Sequence, residues 1–442
     1  MGHNNRFLID FKQVATSSFG RRALLCIGLA AIAAASLTAS QSLAQAPELT
    51  LRITHGFQGQ NASMIESVVA RFQELHPRIH INLVRSGDRD DAHFQNLLRS
   101  AVVDDLPDLA HIGLTYTREL VDRGYAKAIG DVLGTQDVSA ELELPTLLVD
   151  STKFGGKIYA VPFGTTVPVI YYNLDLLTKA GVDAAKLPSR WAEVTAAAKA
   201  VSVLGGKNIG GYIEYTAFNA WIFQNLLASN AGAMVNDEET DIAFDSPAGL
   251  EALRVLAAFG ESMNADMSQE QARQAFNAGA MGVLIRSASG LESVSQAIRG
   301  NFELAVGSFP IAAEKGHLVG GANGVVVFTA HPDRQAAVRE YIRFLVGPEG
   351  QSILAKQTGY VPVSPDAVQN VEFFGTYYDE NPLKRSLLAG IATTSDWYSF
   401  PKNSLRIFKV IVEEMRKVVT QQVEPEVALA TMAAETRRLM KQ

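Results

Sequence analysis

Two hydrophobic periods take turns along this chain, and that alternation confines it to folds in which strands feed helices. Leu49, Leu51 and Ile53 alternate with polar residues, the period of a half-buried strand. Ile65, Val68, Val69, Phe72 and Leu75 then recur at helical spacing until Pro77 stops the helix. Ile79, Ile81 and Leu83 return to the strand period, Leu97, Leu98 and Ala101 give another helix, and 107–112 reads as a short buried strand. The pattern resumes after Gly155-Gly156-Lys157, with an extended segment at 159–162 and a strand from Val167 to Tyr172. Helices are predicted to open at Pro188–Trp191, with Ser189 as cap, and to run from Asp245 to Phe259, with Ser246 capping Pro247. Beyond these come a helix at 272–278, a strand at 281–285, a helix at 291–298 and an apolar strand, Val325 to Phe328, after a glycine-rich turn. The C-terminal third is helical at 337–345, 405–419 and 426–440. Repeated switching between the two periods predicts an α/β protein.

The first 44 residues stand apart from this pattern. Arg21 and Arg22 precede an apolar, alanine-rich run from Ala23 to Leu37, shorter than the roughly 20 residues of a spanning helix. Ser42-Leu43-Ala44 places small residues at the −3 and −1 positions of a signal-peptidase site, so cleavage is expected after Ala44, with export to the periplasm. The paired arginines also permit export of a folded chain, although Gly20 and Ala23 around them match that signal poorly. Cys26 is the only cysteine. It starts the apolar run rather than following it, so it does not fit a lipid anchor, and cleavage removes it.

The remaining 398 residues are enough for two lobes and carry 35 basic against 45 acidic groups, a net charge of −10. An acidic, evenly mixed surface speaks against nucleic acid and anionic membrane as partners. No second long apolar run follows the leader.

Sequence signs of catalysis are missing. His55, His76, His80, His93 and His111 crowd one stretch, but none has the spacing of a metal motif, so structural roles are expected for them. There is no nucleophile elbow, no phosphate-cradling Gly-x4-Gly-Lys loop and no dinucleotide fingerprint. The acidic run 236–241 lacks calcium-loop spacing. No cofactor is expected. Paired carboxylates have no sequence spacing of their own, so a secreted glycosidase is the competing class.

From Tyr159 the chain reads Tyr-Ala-Val-Pro-Phe-Gly-Thr-Thr-Val-Pro-Val-Ile-Tyr-Tyr-Asn-Leu-Asp, which resembles the crossing segment of family-1 extracellular solute-binding proteins. The likeness extends to Phe72–Pro77, Pro188–Trp191, Phe276–Gly279, Gly320-Gly321-Ala322, Gly347-Pro348-Glu349 and Thr358–Val363. With Val410–Glu414 it looks most like the glycerol-3-phosphate-binding branch. The resemblance implies the capture component of an ABC importer, a non-enzymatic monomer that hands a polyol phosphate or sugar to a membrane permease. It also implies a two-lobed fold with hinge strands between the lobes. On that basis residues 45–160 form the first part of lobe 1, 161–318 lobe 2, 319–375 a return to lobe 1, and 376–442 a helical part of lobe 2.

Carried over position by position, the resemblance implies ligand-binding roles for His93, Thr166, Phe218, Ser287, Gly321, Tyr360 and Lys409. His93 takes a tyrosine's place, Thr166 a serine's, and Lys409 that of an arginine for an anionic group, with Arg406 one turn away. Two positions depart from the branch: Leu114 stands where it has a glutamate, and Phe218 near where it has a stacking tryptophan. Both departures imply a different organic portion of the ligand. Read as residues alone, each candidate has a structural alternative. Tyr360 also suits a core, Thr166 and Ser287 turns, Gly321 a positive φ, Lys409 a solvated surface, and Phe218 and Trp221 core packing. Arg286, beside Ser287, is a possible second cation.

One expectation follows from the leader. Mass spectrometry of protein recovered from the periplasm will find a chain that begins near Gln45 and lacks Cys26. Retention of Cys26 contradicts it.

Overall fold

The computed structural model describes residues 48–216, 220–262, 267–391, 394–395 and 398–442. The leader, its cleavage site and Cys26 therefore lie outside the described residues, as does Phe218.

Ten strands build two larger sheets. In chain order they are β1 (Leu49–His55), β2 (Ile79–Arg85), β3 (Leu109–Gly113), β4 (Ala160–Thr166), β5 (Pro168–Asn173), β6 (Ile209–Ile213), β7 (Met281–Ser287), β8 (Leu304–Ser308), β9 (Gly321–Val327) and β10 (Val361–Pro362). The first sheet has the order β10-β4-β9-β3-β1-β2, and the second β8-β5-β7-β6. β1 runs parallel to β2 and β3, whereas β9 runs antiparallel to β3 and β4. With helices packed on each sheet, the molecule is an α/β protein of two lobes. β3 and β4 are buried throughout, as sheets covered on both faces require.

The chain crosses between the sheets at Val167, directly after β4, and returns between β8 and β9. Residues 161–166, assigned from sequence to the second lobe, are instead hydrogen-bonded into the first sheet. The single apolar run from β4 into β5 hides that junction, because both strands are buried on both faces.

Local sequence explains the helices. α1 (Gly59–Leu75) buries Ile65, Val68, Val69 and Phe72 of the apolar stripe read from its spacing, together with Met64, while Leu75 at its end is exposed. α2 covers Asp90–Val102, with two acids in its first turn and Arg99 in its last, both favourable to the helix dipole. α3 (Trp191–Val203) is capped at Arg190 rather than at Ser189, because the Glu193 carboxylate accepts the backbone N–H groups of both residues. α4 covers Trp221–Ser229 and is buried along its whole length. α5 (Pro247–Gly260) opens as read, with Ser246 Oγ accepting the Gly249 N–H at 3.3 Å. α6 (Ser404–Val419) and α7 (Pro425–Met440) pack into the core beneath the second sheet.

That core includes Tyr171, Tyr172, Phe223, Phe259 and Met415, while the core of the first sheet includes Ile53, Phe72, Phe163 and Tyr341. Each fully buried large side chain contributes roughly 1.5–3 kcal/mol.

The first lobe also buries three imidazoles. His55 and His111 are register partners on β1 and β3, and His93 reaches them from α2. His111 Nε2 lies 2.8 Å from the Tyr341 hydroxyl. Burial holds His55 at about 4 and His93 at about 3, with the charges of Arg85 and His55 respectively adding to the effect. His111 also falls well below its ordinary value, by burial first and then by its two imidazole neighbours. Among the described residues no group of three or more His, Cys, Asp or Glu is arranged to hold a metal ion.

All three imidazoles are neutral when folded and protonate near pH 6.5 when unfolded. Stability they contribute is complete above that value and declines as pH falls toward their folded values, by about 1.4 kcal/mol per histidine and pH unit. Asp90, whose carboxyl burial raises to about 6, acts in the opposite sense, one group against three. Melting temperature is therefore expected to drop between pH 7 and pH 5, and to drop less steeply in His55→Asn. An equal slope in the two proteins refutes the assignment.

Candidate functional site

The ends of strands from both sheets meet around one small cavity. Its lining comprises Gly113, Thr115, Thr166, Gly321, Ala322, Asn323 and Tyr360 from the first lobe, with Ser287 and Trp221 from the second. The cavity measures about 30 Å³.

Strand pairing puts these residues together. Gly321 lies opposite Thr166, and Asn323 opposite both Gly113 and Gly164. Between Asn323 and Gly324 the register on β4 jumps from Gly164 to Pro162, a bulge of the kind that re-aims side chains next to functional sites. Gly321 serves through space rather than through a positive φ: a Cβ there would sit 3.2 Å from the Trp221 ring and 3.3 Å from the Thr166 methyl. The indole N–H of Trp221 donates to the Val319 carbonyl at 2.8 Å, which fixes the ring over the glycine.

A chain of hydroxyls crosses from one lobe to the other. Thr166 Oγ1 is 2.9 Å from Ser287 Oγ, which is 2.7 Å from Ser289 Oγ. The Ser289 amide donates to Thr166 Oγ1 at 3.0 Å. Tyr360 is buried, hydrogen-bonds Asn323 and Ser289, and is held neutral chiefly by burial and next by the nearby Asp90 charge. Beside it the Gly359 N–H donates to the Ser289 carbonyl at 3.2 Å. No side chain fits there, since a Cβ on Gly359 would lie 1.9 Å from the Ala288 oxygen.

At the rim, Arg118 Nη1 donates to the Ser399 carbonyl at 2.9 Å and Nη2 lies 3.5 Å from Glu239. The Ser399 hydroxyl donates to the carbonyl of the lining residue Thr115. This gathers the loop after β3, the acidic run 236–241 and the segment before α6 at one edge.

Of the residues expected from sequence, Thr166, Ser287, Gly321 and Tyr360 line the cavity together. His93 does not: it is wholly buried, with Nε2 3.0 Å from Thr54 Oγ1, and faces the first-lobe core. Lys409 and Arg406 lie exposed on α6 and are absent from the lining, because Ile407, Phe408 and Ile411 turn the opposite face inward. Arg286 is spent on Glu214, 3.5 Å away, which also takes the Arg273 guanidinium. Leu114 is buried in a small apolar cluster with Phe94 and Tyr116. Sequence reasoning missed Gly113, Thr115, Ala322 and Asn323. The only available signal was the glycine-rich run 320–324, which brackets two of them.

The matches to known proteins agree with the two-lobed fold. The description "bacterial extracellular solute-binding protein" fits residues 67–382, more than half of the chain. An sn-glycerol-3-phosphate-binding periplasmic protein UgpB from Agrobacterium fabrum is 26% identical over 278 residues, 60% of this chain and 62% of the relative. The protein of that name from Salmonella typhimurium is 24% identical over 423 residues, covering 89% of this chain and 92% of the relative. Among solved structures, UgpB from Mycobacterium tuberculosis with glycerophosphocholine superimposes with a TM-score of 0.78 at 19% identity, over 90% of this chain and 98% of that one. The substrate-binding protein Lmo0181 from Listeria monocytogenes, in complex with cycloalternan, does so at 0.77 and 20%, over 89% and 99%. At such identities the structures speak for the fold, and the family match for membership. The chain belongs to the bacterial extracellular solute-binding proteins, which are binding components and not enzymes.

Proposed function

We propose that this protein captures a small polyhydroxylated solute, a polyol phosphate or a sugar, by closing its two lobes, and passes it to the membrane permease of an ABC importer. In this reading it is exported by the leader, cut after Ala44, and works as a periplasmic monomer with residues 49–166 and 321–363 in one lobe and most of the remainder in the other. The observation that carries the proposal is the mixed origin of the lining. Hydroxyls of Thr166 and Tyr360 from one lobe and Ser287 from the other surround a single cavity beside the Trp221 indole. Hydroxyl and amide side chains match ligand hydroxyls, and an aromatic face matches the apolar face of a polyol or pyranose ring.

Closure follows from size. A cavity of about 30 Å³ holds little more than a water, whereas small-molecule sites span about 300–1,000 Å³. Admission of a solute requires the lobes to part about the crossings at Val167 and 309–320. A ligand that touches both lobes then favours the joined state by its differential contacts.

The resemblance to glycerol-3-phosphate-binding relatives favours a phosphorylated ligand. One observation favours the neutral sugar instead: neither Lys409 nor Arg406 belongs to the lining, so a buried phosphate would lack the charge-assisted partners it needs.

Thermal-shift screening against glycerol phosphates, glycerophosphodiesters and maltooligosaccharides tests the proposal. The true ligand at a hundredfold excess over Kd adds about 2.7 kcal/mol and reduces the radius of gyration in solution scattering. Stabilisation with an unchanged scattering profile sinks the two-lobe clamp. Lys409→Ala and Arg406→Ala are expected to leave affinity within twofold of the parent protein in calorimetry, and a tenfold loss in either restores the anion role.

Gly359 offers a separate check. Gly359→Ala drives a methyl into the Ala288 carbonyl and wedges the lobes apart. The variant is expected to show a larger radius of gyration and weaker binding, since the joined state is less populated. Parent-like values of both rule out a contact that matters for closure.

A further inference from the structure

One side chain of the cavity lining carries a buried polar atom that has no partner among the described residues. Asn323 is 4% exposed, lines the cavity, and its Oδ1 accepts no hydrogen bond from any described residue. A buried amide oxygen left unmatched forfeits its hydration without return, so a native structure retains one where something else satisfies it.

The other half of the same amide has a partner. Asn323 Nδ2 donates to Asp90 Oδ2 at 3.4 Å, with the Tyr360 phenol close by. Asp90 opens α2, and its carboxylate also accepts the backbone N–H of Gly113, the residue opposite Asn323 on the neighbouring strand. Space for this arrangement comes from Gly113: a Cβ there would lie 2.8 Å from Asp90 Oδ2. Amide oxygen and nitrogen are nearly isosteric, so the surroundings decide which way the group points. An ionised carboxylate only accepts, so it draws Nδ2 toward itself and turns Oδ1 away. The register jump at Asn323–Gly324 fixes the strand that carries the amide.

We propose that Asn323 is a ligand-binding residue whose side-chain oxygen accepts a hydrogen bond from a ligand hydroxyl, and that Asp90 is the positioning residue that holds the amide in that orientation. The inference rests on the proposed capture of a polyhydroxylated solute and names a specificity determinant of that site. It also supplies a carboxylate beside the cavity in a chain whose position 114 is leucine, on a different element. A ligand whose hydroxyl at this position is methylated or removed leaves Oδ1 unmatched and binds more weakly.

The arrangement carries its own pH signature. Burial first, then the neighbouring Asp91 charge, raises Asp90 to about 6, against the opposing hydrogen bonds of Gly113 and Asn323. Arg89 and Asp91 flank it on the chain, Tyr116 and Tyr360 face it, and His93 lies one turn along the same helix. The tyrosines are held neutral by burial, and His93, at about 3, stays neutral above pH 5, so Asp90 is the member of this group that titrates between pH 5 and 7.5. Once protonated, Asp90 can donate to Oδ1 of a turned amide, and the orientation is lost. Affinity therefore falls as pH falls through about 6.

The test measures calorimetric affinity of the full mature protein for glycerophosphocholine and for maltotriose, neither of which titrates between pH 5 and 7.5. With whichever probe binds the parent, Asn323→Ala is expected to lose at least tenfold at pH 7.5. The parent is expected to weaken several-fold from pH 7.5 to 5, and Asp90→Asn to show a flat profile. Asn323→Ala within twofold of the parent, with a parent-like melting curve, overturns the inference and leaves the proposed function standing. Should Asn323→Ala fail to melt cooperatively, the pH profiles decide, and one shared by Asp90→Asn and the parent overturns the inference. Binding of neither probe by the parent overturns the polyol reading, and the inference falls with it.

Discussion

The antiparallel pairing of β4 with β9 is the contact on which the rest of the molecule depends. Both strands sit in the middle of the first sheet, and each is joined to the second sheet by a short crossing: β4 through Val167, β9 through the segment before it. Their ends supply Thr166, Gly321, Ala322 and Asn323, nearly half of the cavity lining. One ladder of hydrogen bonds thus sets the first sheet, the route between lobes and the floor of the site. Its single irregularity, the register jump at Asn323, falls where the lining needs a side chain aimed differently from a regular pleat.

Around that ladder the cores are largely separate. The second sheet has one large apolar cluster, which Val361 of β10 joins, and the first sheet has two, against the smaller of which Leu405 of α6 packs. No disulfide ties the lobes, since Cys26 is the only cysteine. Contacts between the lobes near the cavity are mostly polar: the Thr166–Ser287–Ser289 hydroxyls, the Gly359 amide and the Arg118 guanidinium. Polar contacts exchange readily with water and are individually worth little net free energy, so such an interface suits parts that separate and rejoin. Most of the buried apolar mass lies within the lobes and resists that motion.

The cavity is lined without a cation although charge lies close by. Glu214, 3% exposed, draws Arg273 at 2.7 Å and Arg286 at 3.5 Å, which pairs the guanidinium beside Ser287 with a carboxylate. A buried carboxylate needs such partners, because an unpaired charge in a low-dielectric setting is strongly unfavourable. What remains to meet a ligand is hydroxyl, amide and aromatic surface, chemistry matched to hydroxyl groups rather than to a naked anion.

Much of this was legible in the chain itself. Period-2 stripes placed β1 and β2 within two residues of their observed limits, and the period-3.6 stripe found α1 to its C-terminal end but not its first turns, because burial of an apolar face dictates its own spacing only where that face is apolar. Ser246 and Pro247 marked the start of α5 by local backbone chemistry alone. Thr166, Ser287, Gly321 and Tyr360 were found through a family resemblance, and they do converge on one cavity. His93, Lys409, Asn323 and Asp90 were beyond sequence reading for a common reason. Which face of α2 or α6 meets the cavity, and which way a bulged strand aims its amide, depend on packing between segments hundreds of residues apart. Spacing along a chain specifies which residues share a face; only the folded structure decides what that face touches.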